Sequence, residues 1–316
     1  MRWWACEPLS GVDPLRLSVH PLRLSIVMRE NPALIQPAQL APGRKRGNLS
    51  QPFAPVYRPD FVRFRVYLVL GDRKALIQQV PKGAVWAEVG VFRGDFSQAV
   101  LELCAPSEYC MIDNWAALPE QNSFGDVTEN FASFAGQIHW DHFGDDASDA
   151  QEKNFQYVTQ RFAGNPTVRV IRENSFKGIA GLPDAHFDVM YIDANHQYEF
   201  VLRDMMEARR KLKPGAILLM NDFYEGPGGA EQNLGVIGAV NTFVKRYEFH
   251  YIAMSHGSFA DVALTDDPGS PFVREFLRNL NNSELTFIGI SDVLVPNLRY
   301  KLLRKDTGQL RYVAML

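Results

Sequence analysis

The sequence predicts an α/β fold, with a doubly wound and mostly parallel sheet that ends in an antiparallel hairpin. Three observations carry this expectation. Apolar runs of strand length alternate with stretches of helical spacing between Ala84 and Leu219, and a glycine-bearing turn joins the first run to its helix. Two later runs end in oxygen-bearing side chains, at Asp193 and at Asn221-Asp222. Continuous apolar runs of this kind suit strands buried on both faces, the condition of a parallel sheet covered by helices.

The bulk properties place limits on function. A chain of 316 residues, 46% hydrophobic and 22% charged, has the balance of a soluble protein and is long enough for one large domain or two small ones. No apolar run reaches the length of a membrane span, and the start, Met1-Arg2-Trp3-Trp4, lacks the apolar core of a signal peptide. Cys6, Cys104 and Cys110 have no metal-ligand spacing and form no disulfide framework, so a reducing, cytoplasmic setting is expected. Between Gly94 and Glu152 there is no Lys or Arg, whereas acids such as Asp113, Asp126, Asp141 and Asp149 recur. A surface of that sign repels phosphate backbones, which argues against nucleic acid and for a small-molecule acceptor. No membrane partner is expected, and a homo-oligomer is left open.

Residues 1–58 are rich in Pro, carry the basic Arg44-Lys45-Arg46 and show no sustained periodicity, as in a flexible or loosely docked extension. Either Met1 or Met28 serves as the start. Phe61, Phe64, Leu68, Leu76 and Val80 predict one or two helices that end at Pro81-Lys82-Gly83. Ala84–Val89 is then the first strand, and Phe96, Val100 and Leu103 recur on the helix after it. The turn between them holds Gly90 and Gly94, with Glu88 two residues earlier and no glycine at position 92. That spacing departs from the Gly-x-Gly-x-x-Gly of dinucleotide sites, whose middle glycine makes room for a pyrophosphate.

The second strand, Glu108–Asp113, ends in an acid placed to accept hydrogen bonds from both ribose hydroxyls of a nucleoside. Asn114 follows it. Residues 120–149 form a lid-like insertion in which His139-Trp140-Asp141-His142 reads better as a solvated loop than as a metal cluster. Ala150–Phe162 has helical spacing, and Thr167–Arg172 is the third strand. Ser175 beyond it is either an adenine contact or, with Asn174, a helix cap. Phe187–Asp193 and Ala216–Asp222 are neighbouring strands, so Asp193, Asn221 and Asp222 are expected to converge above the glycine turn as ligands for Mg²⁺ or another hard divalent ion. The alternative is that Asp193 and Asp222 orient a cofactor or cap a helix without metal. Glu225–Gly229 is a loop that can border a pocket, Phe249–Met254 and Phe259–Leu264 form the hairpin, and Pro271–Leu280 is a helix. The apolar stretches near Thr286–Ile290 and Arg311–Leu316 have no readable role.

Glu88-x-Gly90-x-x-x-Gly94 resembles the first motif of class I S-adenosylmethionine-dependent methyltransferases. Phe187-Asp188-Val189-Met190-Tyr191-Ile192-Asp193-x-x-His196-x-Tyr198, with Leu212-Lys213-Pro214-Gly215, is similar to a pattern of their macrocin- and aminocoumarin-type sugar O-methyltransferases. Asp113-Asn114-Trp115-Ala116-Ala117-Leu118-Pro119 looks like another of their segments. The resemblance covers about residues 84–265 and departs at Ala216 for Gly and at Asn221 for Asp. It implies a seven-stranded, Rossmann-like sheet, S-adenosylmethionine as cofactor, Asp193 beside it, and His196 as the base that takes the acceptor's proton, the alternative being that His196 caps the following helix or binds Asp193. Glu88 is expected either to order the glycine loop or to meet the cofactor's amino group. The chain is thus divided into an extension over 1–58, a methyltransferase domain over 59–265, and a C-terminal extension over 266–316 that packs on the core or on a partner. A nicotinamide-dependent oxidoreductase and a non-catalytic binding protein on the same fold are the competing readings.

Overall fold

The computed structural model describes residues 65–116, 147–224, 235–256, 260–304 and 310–315. The N-terminal extension 1–58, most of the insertion 120–149 and the Glu225–Gly229 loop lie outside them. The chain divides into two units, Met1–Arg58 and Pro59–Leu316, and everything below concerns the second.

Five parallel strands form the centre: β2 (Val85–Val89), β3 (Glu108–Asp113), β4 (Val168–Arg172), β5 (Phe187–Ile192) and β6 (Leu212–Met220). With β1 (Arg65–Val69), β7 (His250–Ser255), β8 (Val262–Thr265) and β9 (Phe287–Ser291) they build one nine-stranded sheet in the order β4-β3-β2-β5-β6-β8-β7-β1-β9. The order reverses between β2 and β5, which is where open α/β sheets leave a crevice beyond the carboxyl ends of their strands.

The apolar runs are buried because helices cover both faces, and alternate residues serve opposite sides. Ala87, Val89, Met190 and Leu218 pack with Val201 and Met205 of α5 (Tyr198–Lys211) and with Val240 and Phe243 of α6 (Val236–Tyr247). Ile179 of the short α4 (Ser175–Ala180) joins the same face. On the other face Trp86, Tyr109 and Leu219 meet α1 (Arg73–Ile77), α2 (Asp95–Cys104), α3 (Ala147–Arg161) and α7 (Pro271–Asn282) through Leu76, Val100, Val158 and Phe276. Each buried Val, Leu, Ile, Phe or Met among them is worth about 1.5–3 kcal/mol over leaving it in water. That burial holds the strand ends rigid enough to carry a site.

Three expectations are corrected. Residues 65–69 form a strand where a helix was expected: Val66, Leu68 and Val69 are buried and Arg65 is exposed, and the run of β-formers outweighs a helical spacing that rested partly on Phe61 and Phe64. The hairpin of β7 and β8 does not end the sheet, because β1 pairs with β7 in parallel and β9 pairs with β1 antiparallel. Among the described residues the sheet therefore has nine strands rather than seven. The stretch near Thr286–Ile290 is that edge strand. The other unassigned stretch is β11 (Leu310–Met315), which pairs with β10 (Arg299–Arg304) in a separate two-stranded sheet.

Candidate active site

The glycine turn follows β2 at the reversal of strand order. Gly90 has φ +93°, and a Cβ there would lie 1.9 Å from the carbonyl oxygen of Asp193. Gly94 has φ +73°, stands at the N-terminus of α2, and would bring a Cβ to 2.7 Å from the Phe162 ring. Both glycines are thus required by the protein's own packing before any ligand arrives. The backbone N–H groups of Val91 and Phe92 both donate to Asp113 Oδ2, each at 2.8 Å, and the Trp115 N–H donates to Oδ1 at 2.8 Å. Phe92 takes a positive φ of 53° and its carbonyl accepts from Trp115 Nε1 at 2.8 Å. The N–H groups that would meet a pyrophosphate are therefore already bound to a carboxylate. The turn fits a nucleoside without phosphate, and Asp113 keeps lone-pair capacity on Oδ1 for a ribose.

Glu88 lies beneath the turn, buried, accepting from the Ser97 hydroxyl at 2.6 Å and from the Tyr109 hydroxyl. Burial pushes its carboxyl up to about 8. Its contact is with the first turn of α2 and with β3, so it anchors the turn from below. Asn114 accepts from the Ala116 N–H at 3.0 Å, a local turn. Asn174 is the cap of α4 through Phe176 N–H at 3.1 Å, and the neighbouring Ser175 faces the buried Asp204 carboxylate without a well-formed hydrogen bond.

The second half of the site lies across the Gly90–Asp193 contact. His196, in the loop from β5 to α5, sits between two carboxylates: Nε2 is 3.2 Å from Asp193 Oδ1 and Nδ1 is 3.1 Å from Asp222 Oδ2. Its carbonyl accepts from the Gly235 N–H at 2.7 Å, which ties the loop to the start of α6. Asp222 is buried and held at a positive φ of 55°, a conformation that costs a non-glycine residue about 1–3 kcal/mol. Burial pulls the imidazole's proton affinity down, but the hydrogen bond to Asp193 and the charge of Asp222 outweigh it, so the net shift is upward. Burial also pushes Asp222 up to about 6.

Two further members come from segments that carry no site motif. Arg73 is the first residue of α1, whose cap Asp72 accepts from Lys74 N–H (2.9 Å) and Ala75 N–H (3.1 Å). Its NH1 donates to Asp193 Oδ2 at 3.2 Å, and its Nε lies 4.0 Å from Asp261 Oδ1. Asp261 precedes β8, and because β8 runs antiparallel to β6 its beginning lies at the carboxyl end of β6. It is fully buried and pushed up by burial to about 7. The Asn221 amide donates to Asp261 Oδ1 at 2.8 Å. Asp222 Oδ1, Asp261 Oδ2 and the Tyr191 hydroxyl are buried with no partner among the described residues. The capping pattern Gly71-Asp72-Arg73 was the one available pointer to Arg73; nothing marked Asp261 among the apolar residues of the hairpin.

The expected metal set of Asp193, Asn221 and Asp222 does not fit this arrangement. Asn221 presents its amide to Asp261, Asp193 is engaged by Arg73 and His196, and Asp222 is engaged by His196. Among the described residues no group of three or more His, Cys, Asp or Glu side chains is arranged to hold a metal ion.

The sheet order, the glycine turn and the acid at the end of β3 are those of a doubly wound α/β domain with a crevice at the reversal of strand order. Residues 87–223 match the family model described as a methyltransferase domain, a span from the middle of β2 to just past Asp222. No curated protein matches the chain. Among solved structures, a SAM-dependent methyltransferase from Aquifex aeolicus is similar at 17% identity and TM-score 0.39, covering 58% of this chain and 83% of that one. A protein from Streptococcus mutans described as a methyltransferase and solved with SAH is similar at 12% identity and TM-score 0.39, covering 60% and 92%. Spermidine synthase from Thermotoga maritima is similar at 13% identity and TM-score 0.41, covering 68% and 64%. Likenesses this distant carry no argument about substrate.

Proposed function

We propose that this chain is an O-methyltransferase that moves the methyl group of S-adenosylmethionine to a hydroxyl of a small hydroxylated metabolite or sugar. The observation that carries the reading is the pair of buried carboxylate oxygens, Asp222 Oδ1 and Asp261 Oδ2, that have no partner among the described residues. Buried acceptors without donors are costly, and an acceptor rich in hydroxyl groups supplies the donors. The resemblance of the Ile192–Tyr198 segment to sugar O-methyltransferases favours a sugar.

Bound S-adenosylmethionine supplies an electrophilic methyl carbon on a sulfonium. In this reading Asp113 takes the ribose hydroxyls, Asn114, Ser175 and the Gly90–Gly94 turn surround the nucleoside, and Asp193 stands at its reactive end. The displacement then depends on alignment and on removal of one proton. Asp222 holds His196 by Nδ1, and Nε2 is the nitrogen that takes the hydroxyl proton once it leaves Asp193. No step is assigned to a metal, because the donors do not fit one. A nicotinamide cofactor suits the turn poorly, since Phe92 fills the position of the middle glycine and the turn's N–H groups are bound to Asp113. No described helix is long and apolar enough to cross a membrane, and the acid-rich stretch 94–152 supports a small acceptor over nucleic acid.

The test is calorimetry with S-adenosylmethionine, followed by incubation with a panel of sugars and catechols and mass spectrometry of the products. A binding heat and a methyl ether are expected. Absence of heat ends the cofactor assignment, and methylation found only on nitrogen ends the hydroxyl assignment.

A further inference from the structure

Where a hard divalent ion would need several free oxygens, this site already contains a fixed positive charge. The Arg73 guanidinium donates to Asp193 Oδ2 at 3.2 Å and lies 4.0 Å from Asp261 Oδ1. It is seated on a ring platform: its carbon is 5.6 Å from the centre of Phe96, which stacks on Tyr191 at 4.1 Å. Tyr191 stands two residues before Asp193 in the same chain segment, so the cation, the platform and the carboxylate are held as one unit. A guanidinium stays protonated at any working pH and is more weakly hydrated than an ammonium, so it suits a partly buried ion pair. It also repels a second cation at the same carboxylates.

We propose that Arg73 is the resident cation of this site, occupying by its side chain the place between Asp193 and Asp261 that a divalent ion would take. The site is closed to such ions while Arg73 is present. The proposal rests on the reading of this cluster as the acceptor side of a methyltransferase site, but its test needs no turnover. The full chain is titrated with Mn²⁺ and the signal of the free ion is followed by electron paramagnetic resonance. For the wild type, free Mn²⁺ is expected to track the amount added. Arg73→Gln, which removes the charge, is expected to bind one Mn²⁺ at least about tenfold more tightly than the wild type, a change of about 1.4 kcal/mol. Arg73→Lys, which keeps the charge, is expected to exclude the ion as the wild type does.

Stoichiometric Mn²⁺ binding by the wild type at micromolar affinity overturns the proposal, and so does binding by the lysine variant. A folded Arg73→Gln chain that binds no better than wild type overturns it too. Circular dichroism establishes folding, and the wild-type and lysine titrations decide the matter if the glutamine variant does not fold. Failure of S-adenosylmethionine to bind would sink the cofactor assignment and leave these outcomes unchanged.

Discussion

At the glycine turn, the polar groups nearest the expected nucleoside have protein partners: Val91, Phe92 and Trp115 give their N–H groups to Asp113, and Ser97 and Tyr109 give their hydroxyls to Glu88. Across the Gly90–Asp193 contact, Asp222 and Asp261 each keep a buried oxygen without a partner among the described residues, and Asp222 is held at a positive φ. The first region is complete without a ligand, and the second is not. Unsatisfied buried oxygens are what a specific acceptor would relieve, whereas a satisfied turn offers shape and a few remaining lone pairs. Under the proposed function, the contrast assigns the nucleoside to the turn and the choice of acceptor to the strand ends.

The largest effect is expected on the incomplete side. His196→Ala should lower turnover by about 100- to 10,000-fold, the usual worth of a general base, while calorimetric affinity for S-adenosylmethionine changes less than about threefold. A variant with unaltered turnover would break the contrast. On the completed side the cost should fall on stability. Gly90→Ala forces a side chain into the Asp193 carbonyl at a φ that disfavours it, for about 2–4 kcal/mol and a melting temperature lower by about 5–15 °C. Melting within a degree of wild type would mean that the turn is looser than described.

Glu88 sharpens the same point through pH. Burial holds its carboxyl at about 8, so the folded chain retains a proton that the unfolded chain releases near the ordinary carboxylate value. This stabilisation is full below that ordinary value and is lost as pH rises through about 8. Glu88→Gln should therefore lose less melting temperature than wild type between pH 6 and pH 9, by roughly 3–6 °C; parallel melting curves would refute it. Asp113→Ala, which strips three N–H groups of their acceptor, should weaken S-adenosylmethionine binding about tenfold in calorimetry. The smallest effect is a displacement: because His196 is held above its ordinary value, the rising limb of turnover against pH should lie above the usual histidine range. A limb at or below that range would remove His196 from the role of base.

The central strands were legible because their apolar runs are continuous, and β3 was bounded by the sequence to the residue. The convergence of Asp193 and Asp222 on one sheet edge followed from the rule that parallel neighbours end on the same side. Asn221 escaped that rule because β6 ends at Met220 and the chain turns there, with Asp222 at φ 55° and the Asn221 amide on Asp261. Asp261 itself could not be seen, since its role depends on an antiparallel pairing with β6 that lies 40 residues away. Arg73 was hidden by a helical spacing that crossed what is in fact a strand, a turn and a capped helix. Local pattern revealed the elements, and long-range pairing decided which charges meet.

That pairing also fixes an order in time. β1 is the earliest described strand to leave the ribosome, yet both of its neighbours, β7 and β9, are made long after it, with Tyr67 opposite Ala253 on one side and Gly289 on the other. Contacts so distant along the chain form slowly. During synthesis the glycine turn, β3 and β5 can assemble first, while Arg73 has no seat beside Asp261 until that residue has been added. A chain interrupted before β9 would keep the parallel centre and leave β1 with an open edge, a surface prone to pairing with other chains.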